Sequence, residues 1–378
     1  MPTTPTGALA GIRIVELGGI GPGPFCGMLL ADQGADVIRI DRRALEGRPS
    51  VHPVLHRNRR SLTLDLKDPA DVETALALID TADALIEGFR PGVAERLGLG
   101  PDTCLARNAR LVYGRITGWG QDGPLAHEPG HDINYIALTG ALGAMGIPGE
   151  VPPVPLNLVA DMGGGGMLLA LGFSTALMHA QRTGLGQVVD AAMIDGTAAQ
   201  LAMVHGLMAN GNWSDRRGVN PFDGAAPFYR TYRCADGGFV AVGCAEPQFY
   251  AATLRVLGLT EDPLFAAQMD REAWPAMSDR LEAIFVTRTR DDWVAAFDGQ
   301  GACVSPVLSL TEAAAHPHND ARGTFSTADG IVQSAPTPRL LGTPAGAPRP
   351  APLIGAHTRE VLAELGVPAD TTAIRGKP

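Results

Sequence analysis

Three side chains stand where proton transfer could be done: His131, Asp161 and Glu246. His131 lies in Gly130-His131-Asp132, a loop between apolar segments, and imidazole is the side chain whose charge changes near neutral pH. Asp161 is followed by Met162 and the run Gly163–Gly166, just ahead of a long apolar helical stretch. A carboxylate there meets the positive end of the helix, which keeps it ionised, and glycine lets a carbonyl group approach the backbone amides. Glu246 follows a predicted hairpin and precedes Pro247, so it could equally begin a helix without catalytic purpose. The plainer alternatives for the other two are an N-cap for Asp161 and a structural hydrogen bond for His131.

Charge points to a second feature. The chain is acidic, with a formal charge of −10 and a pI near 5.4, so it has no global field for nucleic acid or an anionic membrane. Any anion must be held by a local basic cluster. Arg39, Arg42, Arg43, His56, Arg57, Arg59, Arg60, Lys67, Arg90 and Arg96 all fall within the first hundred positions, several just past predicted strand ends. That is where an open α/β sheet binds ligands, and arginine suits phosphate; the alternative is a solvated basic face. Met145, Met162, Met167, Met178, Met193, Met203 and Met208 crowd one stretch, as an adaptable wall for an acyl chain would, although an ordinary core accounts for them better.

Two glycine-rich segments invite a dinucleotide reading. Gly21-Pro-Gly23-Pro-Phe-Cys26 has Cys26 where a third glycine belongs, and Pro22 and Pro24 remove amide donors. Gly118-Trp-Gly120-Gln-Asp-Gly123 is followed by Pro124, with no helix opening to hold a phosphate. The expectation is therefore no nicotinamide cofactor. The five cysteines lack C-x-x-C spacing, which reads as reduced thiols in a cytoplasm, with no zinc site. The first residues, MPTTPTGALAG, do not read as a signal peptide, and no apolar run reaches the ~18 residues of a membrane helix.

The elements that must position these groups follow from periodicity. The length of 378 residues suggests two domains at ~100–200 residues each. Strands are predicted at 11–17, 36–40, 61–65, 84–86, 111–116 and 187–190. Helices are predicted at 25–33, 69–80, 93–97, 167–182 and 195–208. The alternation defines a doubly wound, Rossmann-like α/β domain over residues 1–211. Residues 212–227 read as a polar linker. A smaller α+β domain spans 228–324, with a hairpin at 228–243, helices near 247–258, 272–286 and 290–298, and a strand at 302–307. The tail from 335 to 352 is proline-rich and extended, closing in a helix at 358–365.

With these pieces in place, the chain resembles the family III CoA-transferase superfamily, and within it the racemase branch, almost end to end. The resemblance rests on Gly11-Ile-Arg-Ile-Val-Glu-Leu17, Gly34-Ala-Asp-Val-Ile-Arg-Ile-Asp41, Asn58-Arg-Arg-Ser61 with Asp65-Leu-Lys67, and Glu87-Gly-Phe-Arg-Pro-Gly92. It continues in Thr117-Gly-Trp-Gly-Gln121, Gly130-His-Asp-Ile-Asn-Tyr135, Asn157-Leu-Val-Ala-Asp161 and Glu246-Pro-Gln-Phe-Tyr250.

The resemblance implies a large CoA-binding domain completed by residues 325–378, and an interlocked homodimer with its active sites at the interface. It implies isomerisation of 2-methylacyl-CoA thioesters by α-proton abstraction and reprotonation. His131 and Asp161 would be the acid/base pair, with Glu246 as the supporting carboxylate. Arg42, Leu64, Asp65, Leu66, Lys67, Gly88, Phe89, Arg90, Arg96, Gly130, Asp132, Ile133, Asn134 and Tyr135 would contact CoA, which is part of the substrate, so no separate cofactor or metal is implied. Backbone amides near Asp161 are candidates for holding the enolate oxygen. The rival within the family is a CoA-transferase in which the aspartate at position 161 is a covalent nucleophile. A catalytically silent CoA-binding protein is a third reading, and a dehydrogenase a fourth.

Overall fold

The computed structural model describes residues 6–368. Six parallel strands, β1 (Arg13–Leu17), β2 (Asp36–Arg42), β3 (Arg60–Leu64), β4 (Ala84–Glu87), β5 (Val112–Thr117) and β6 (Gln187–Ala192), form one sheet in the order β3-β2-β1-β4-β5-β6. This is the doubly wound order, reversing between β1 and β4. Successive residues of the central strands point into opposite cores. Val15, Ile38 and Leu85 enter one, with Leu78 and Ile79 of the helix α2; Ile14, Val37 and Ala84 enter the other. A sheet buried on both faces needs such continuous apolar strands.

The helices of this unit are α1 (Pro22–Asp32), α2 (Pro69–Asp80), α3 (Val93–Arg96), α4 (Pro101–Arg107), α5 (Asp132–Leu138), α6 (Leu168–Thr183) and α7 (Met193–Gln200). The bounds of α2 have a local cause: the Asp68 side chain accepts from the Ala70 amide at 2.8 Å, and Pro69 occupies the first turn, where no amide partner is needed. Helix α6 is continuous with a π-helix, Leu158–Met167. The resulting apolar helix, residues 158–183, is long enough by length and composition to cross a membrane, contrary to the sequence expectation. One side of it packs on β5 and β6, burying Leu169, Phe173 and Leu177.

The second compact unit comprises residues 140–154 and 201–316. It holds α8 (Ala202–Ala209), the antiparallel sheet of β7 (Tyr229–Arg233), β8 (Phe239–Gly243) and β9 (Val304–Pro306), and the helices α9 (Pro247–Leu257), α10 (Trp274–Phe285), α11 (Arg290–Phe297) and α12 (Leu310–Ala315). Its core is aromatic: Phe228, Tyr232, Phe265, Trp274, Phe285 and Trp293. Residues 212–227, expected to be a linker, are a folded part of this unit. Asn220 is fully buried, and the Asp223 carboxylate accepts from the amides of Gly218, Val219, Asn220 and Ala225. Arg217 in turn donates to carbonyls of Ile147 and Glu150.

From Pro317 the chain rejoins the first unit through α13 (Pro317–Arg322), the hairpin β10 (Phe325–Ala328) and β11 (Ile331–Ser334), and α14 (Thr358–Glu364). The tail covers the open edge of β3: Ser61 N donates to His357 Nδ1, Thr63 N to Thr358 Oγ1, and Gly355 N to Ser61 Oγ. An unpaired edge strand is thereby closed. The cysteines are free; Cys26, Cys104, Cys234 and Cys244 are buried and Cys303 is exposed.

Candidate active site

Strand order reverses between β1 and β4, and open α/β sheets bind ligands at such a point, along the edge formed by the carboxyl ends of the strands. The sequence-derived residues of the first unit collect along this edge. Arg42 ends β2 and Leu64 ends β3, followed by Asp65, Leu66 and Lys67; Gly88, Phe89 and Arg90 follow β4. Gly21, at the end of the loop leaving β1, opens α1 with φ +67°, a conformation that favours glycine. A Cβ there would lie 3.7 Å from Asp161 Oδ2, so Asp161 sits over the start of α1. In a dinucleotide-binding fold a pyrophosphate takes that position. Here a carboxylate occupies it, above a helix whose first turn carries Pro22 and Pro24, so the geometry does not fit a dinucleotide.

His131 and Asp161 are joined through one residue. His131 is the last residue of its loop and the N-cap of α5; its amide donates to Asn134 Oδ1 at 3.0 Å and its side chain is exposed. The next residue, Asp132, is buried, and its Oδ2 accepts from the amides of Ala160 (2.7 Å) and Asp161 (2.8 Å). One aspartate thus ties the first turn of the π-helix to the start of α5. The resemblance implies a CoA contact for Asp132; in the structure the Oδ2 of its buried carboxylate anchors the backbone at Ala160 and Asp161. Asn157, one π-turn before Asp161, donates Nδ2 to Asp161 Oδ2 at 3.2 Å. The sequence reading assigned Asn157 no role, although Asn-x-x-x-Asp at a helix start is a readable signal.

These surroundings set the acidity of Asp161. Burial raises its pKa, the Asn157 hydrogen bond lowers it, the Asp132 charge raises it and His131 lowers it, with a net rise. The helix end favours the ionised carboxylate, but partial burial and a neighbouring carboxylate outweigh the donors and move its pKa upward. Tyr135 is buried edge-on against Trp119, with ring centroids 4.7 Å apart. Burial, with the charges of Asp161 and Asp132 opposed by Arg90, pushes its phenol up to about 12. Gly118 and Gly130 make room for that ring, since a Cβ on either would come within 2.2 Å and 2.7 Å of it.

The glycine run serves packing. Gly164, Gly165 and Gly166 are buried inside the continuous helix, where Cβ atoms would meet the α7 backbone at Thr197 N (2.9 Å), Met193 Cγ (2.8 Å) and Phe25 Cδ1 (2.7 Å), respectively. They let the π-helix approach α1 and α7. The Ala160 and Asp161 amides are taken by Asp132, so these two are not free to hold an enolate oxygen. The methionines are not a core either: Met193 is buried, but Met167, Met178, Met203 and Met208 are exposed.

The basic residues divide in two. Arg39 and Arg59 grip the fully buried Glu16, Arg57 pairs with Asp32, Arg43 with Asp71, and Arg60 with Asp36, Glu360 and Glu364. These belong to the fold. Arg42, Lys67, Arg90 and Arg96 are exposed and form no ion pair among the described residues. Of the remaining residues on the edge, Leu64 has its side chain in the core, Leu66 and Phe89 pack partly against it, and Asp65, Gly88, Ile133 and Asn134 are exposed. Glu246 lies in the second unit at the N-cap of α9, exposed and making no side-chain cap bond; its carbonyl accepts from the Phe249 and Tyr250 amides.

Fold, switch-point site and sequence together define the class: the chain belongs to CoA-transferase family III, whose family model matches residues 9–358. It is 47% identical to human and 46% identical to mouse α-methylacyl-CoA racemase, over 95% of this chain and 94% and 93% of those proteins. Succinyl-CoA–D-citramalate CoA-transferase of Chloroflexus aurantiacus is 31% identical, over 98% of this chain and 97% of its own. Among solved structures, a CaiB/BaiF family protein from Brucella suis superposes with a TM-score of 0.82 at 26% identity, covering 95% of this chain and all of that one.

Proposed function

We propose that this chain racemises 2-methylacyl-CoA thioesters. The observation that carries the reading is the bridge through Asp132, which ties the backbone of Asp161, a carboxylate of raised pKa, to the residue that follows His131. An α-hydrogen beside a thioester is weakly acidic, so it needs a positioned base on one face and an acid on the other. In one direction neutral His131 takes the α-proton, the C–H electron pair moves to the thioester oxygen, and protonated Asp161 returns a proton to the opposite face. In the mirror direction the roles exchange. The upward shift of the Asp161 pKa favours its part as the acid in the first of these directions. Arg42, Lys67, Arg90 and Arg96 would hold the CoA phosphates, whose binding energy positions the reacting carbon. No added metal or nicotinamide takes part in the proposed steps.

The higher identity to racemases than to the transferase supports this reading over one in which Asp161 attacks the thioester. Homodimerisation, with Glu246 of a second copy orienting His131, belongs to the same proposal. The outer face of the 158–183 helix supports it, since Leu158, Met167, Leu171 and Met178 are 56–61% exposed and form an apolar stripe. Buried free thiols suit the reducing cytoplasm proposed as its location; the substrate class places the work in fatty acid and lipid metabolism.

The test is to incubate one enantiomer of a 2-methylacyl-CoA in deuterium oxide with chelator present. Loss of optical purity with α-deuterium incorporation is expected, and His131→Ala and Asp161→Ala should each lower it by about 100-fold or more while CoA still binds. Acceptor-dependent CoA exchange without α-exchange would overturn the assignment.

A further inference from the structure

Beneath the loop that leaves β4 lies a chain of charges the proposed reaction does not use. Glu87, the last residue of β4, is completely buried, and its carboxylate accepts from the Phe89 amide and from Arg115 Nε at 3.1 Å. Arg115 stands opposite it on β5. The far end of that guanidinium reaches out to Glu95 of α3, with Nη1 at 2.8 Å from Oε1 and Nη2 at 3.4 Å from Oε2. Two points of the surface are thereby pinned to one buried pair: Phe89 through its amide to Glu87, and Glu95 through its carboxylate to Arg115. The residue after each is an arginine, Arg90 and Arg96, and both are exposed without ion-pair partners among the described residues. A planar guanidinium held at both ends sets a separation better than flexible side chains can.

Resting on the reading of this edge as the CoA site, we propose that Glu87, Arg115 and Glu95 are a positioning relay that presents Arg90 and Arg96 as a fixed pair to the phosphates of the CoA nucleotide. The relay is sensitive to protons. Burial lifts the Glu87 pKa to about 7 against the pull of Arg115 and the Phe89 amide, while the Glu95 charge from α3 raises it further. Tyr113, the other titratable group of β5 beside it, stays a neutral phenol. Above pH 7 the ionised carboxylate holds Arg115; below it the hold slackens.

The experiment compares CoA with pantetheine, which lacks the nucleotide, and their 2-methylacyl thioesters as substrates. Glu87→Gln removes the buried charge and keeps the shape; Glu95→Gln cuts the relay at its exposed end, where folding is not at stake. In Glu87→Gln we expect CoA to bind about tenfold more weakly, as loss of one charge-assisted hydrogen bond would give. KM for the CoA thioester should rise in proportion with kcat within twofold, and the pantetheine thioester should show no change. Glu95→Gln should show the same pattern at about threefold. Wild-type affinity for CoA should rise from pH 6 to pH 8, and that rise should be absent in Glu87→Gln. Equal losses on both substrates would mean general damage, and unchanged CoA affinity in Glu95→Gln with a folded Glu87→Gln would mean no relay; either overturns the inference while leaving the racemase reading in place. Failure of the wild type to bind CoA would remove both.

Discussion

The arginines of the first hundred residues form two populations that composition cannot separate. Arg39, Arg57 and Arg59 are buried at 7%, 1% and 4% exposure, each against a carboxylate that is itself buried. Arg42, Arg90 and Arg96, with Lys67, stand exposed at the carboxyl ends of the strands. The difference lies in what each neighbour supplies. Glu16 is placed inside β1, where its charge must be matched from within, and Gly27 leaves the room: a Cβ there would come 2.5 Å from Arg59 and 2.6 Å from Glu16. At the strand ends no carboxylate pairs with Arg42, Lys67, Arg90 or Arg96 among the described residues, and these cations stay available to an outside anion.

The comparison can be broken most forcefully at Arg59. Arg59→Ala leaves Glu16 buried beside Arg39 alone and should lower unfolding free energy by about 3–5 kcal/mol, read from urea denaturation. A loss below ~1 kcal/mol would mean the buried pairs are not what holds β1 to its neighbours. Arg90→Ala is the mirror case: stability within ~0.5 kcal/mol of wild type, but CoA affinity weaker by tenfold or more, as for a charged hydrogen bond worth about 1.5–3 kcal/mol. Calorimetric titration alongside denaturation checks both halves, and a destabilised Arg90→Ala would erase the distinction.

The smallest effect sharpens it through pH. His56 sits in the buried set, its Nδ1 2.7 Å from Ser50 Oγ and its Nε2 without a partner, and burial together with Arg39 lowers its pKa to about 3. The folded state therefore binds this proton less readily than the unfolded chain, so the contribution is fully present above pH 6.5 and is lost as pH falls toward 3, at up to about 1.4 kcal/mol per unit. His56→Gln should flatten the fall in urea midpoint between pH 7 and pH 5. An unchanged slope would place the acid sensitivity elsewhere.

Much of this was legible without coordinates where the cause is local. Helix α2 follows from Asp68, Pro69 and an apolar stripe, and the parallel strands from unbroken Val, Ile and Leu. The short α4 and the β10–β11 hairpin escaped notice because one is a single turn or two and the other has no clear alternation. At the site, His131, Asp161 and the strand-end arginines were readable from residue type and position. The π-helix was not, because its first turn is held by Asp132, 28 residues upstream, and its glycines answer to contacts from α1 and α7. A side chain's acidity was equally hidden: a helix start argued for an ionised Asp161, and burial beside Asp132 reversed the direction.

By itself, then, the sequence determined which strands would be buried on both faces, where helices with strong caps begin, and which residue types could move a proton or hold a phosphate, since these depend on neighbours a few positions away. Tertiary structure alone decided which cations are neutralised, and that the Asp132 carboxylate takes up the backbone amides of Ala160 and Asp161. Those outcomes depend on groups brought together across tens or hundreds of residues, and both desolvation and pairing act through space, not along the chain.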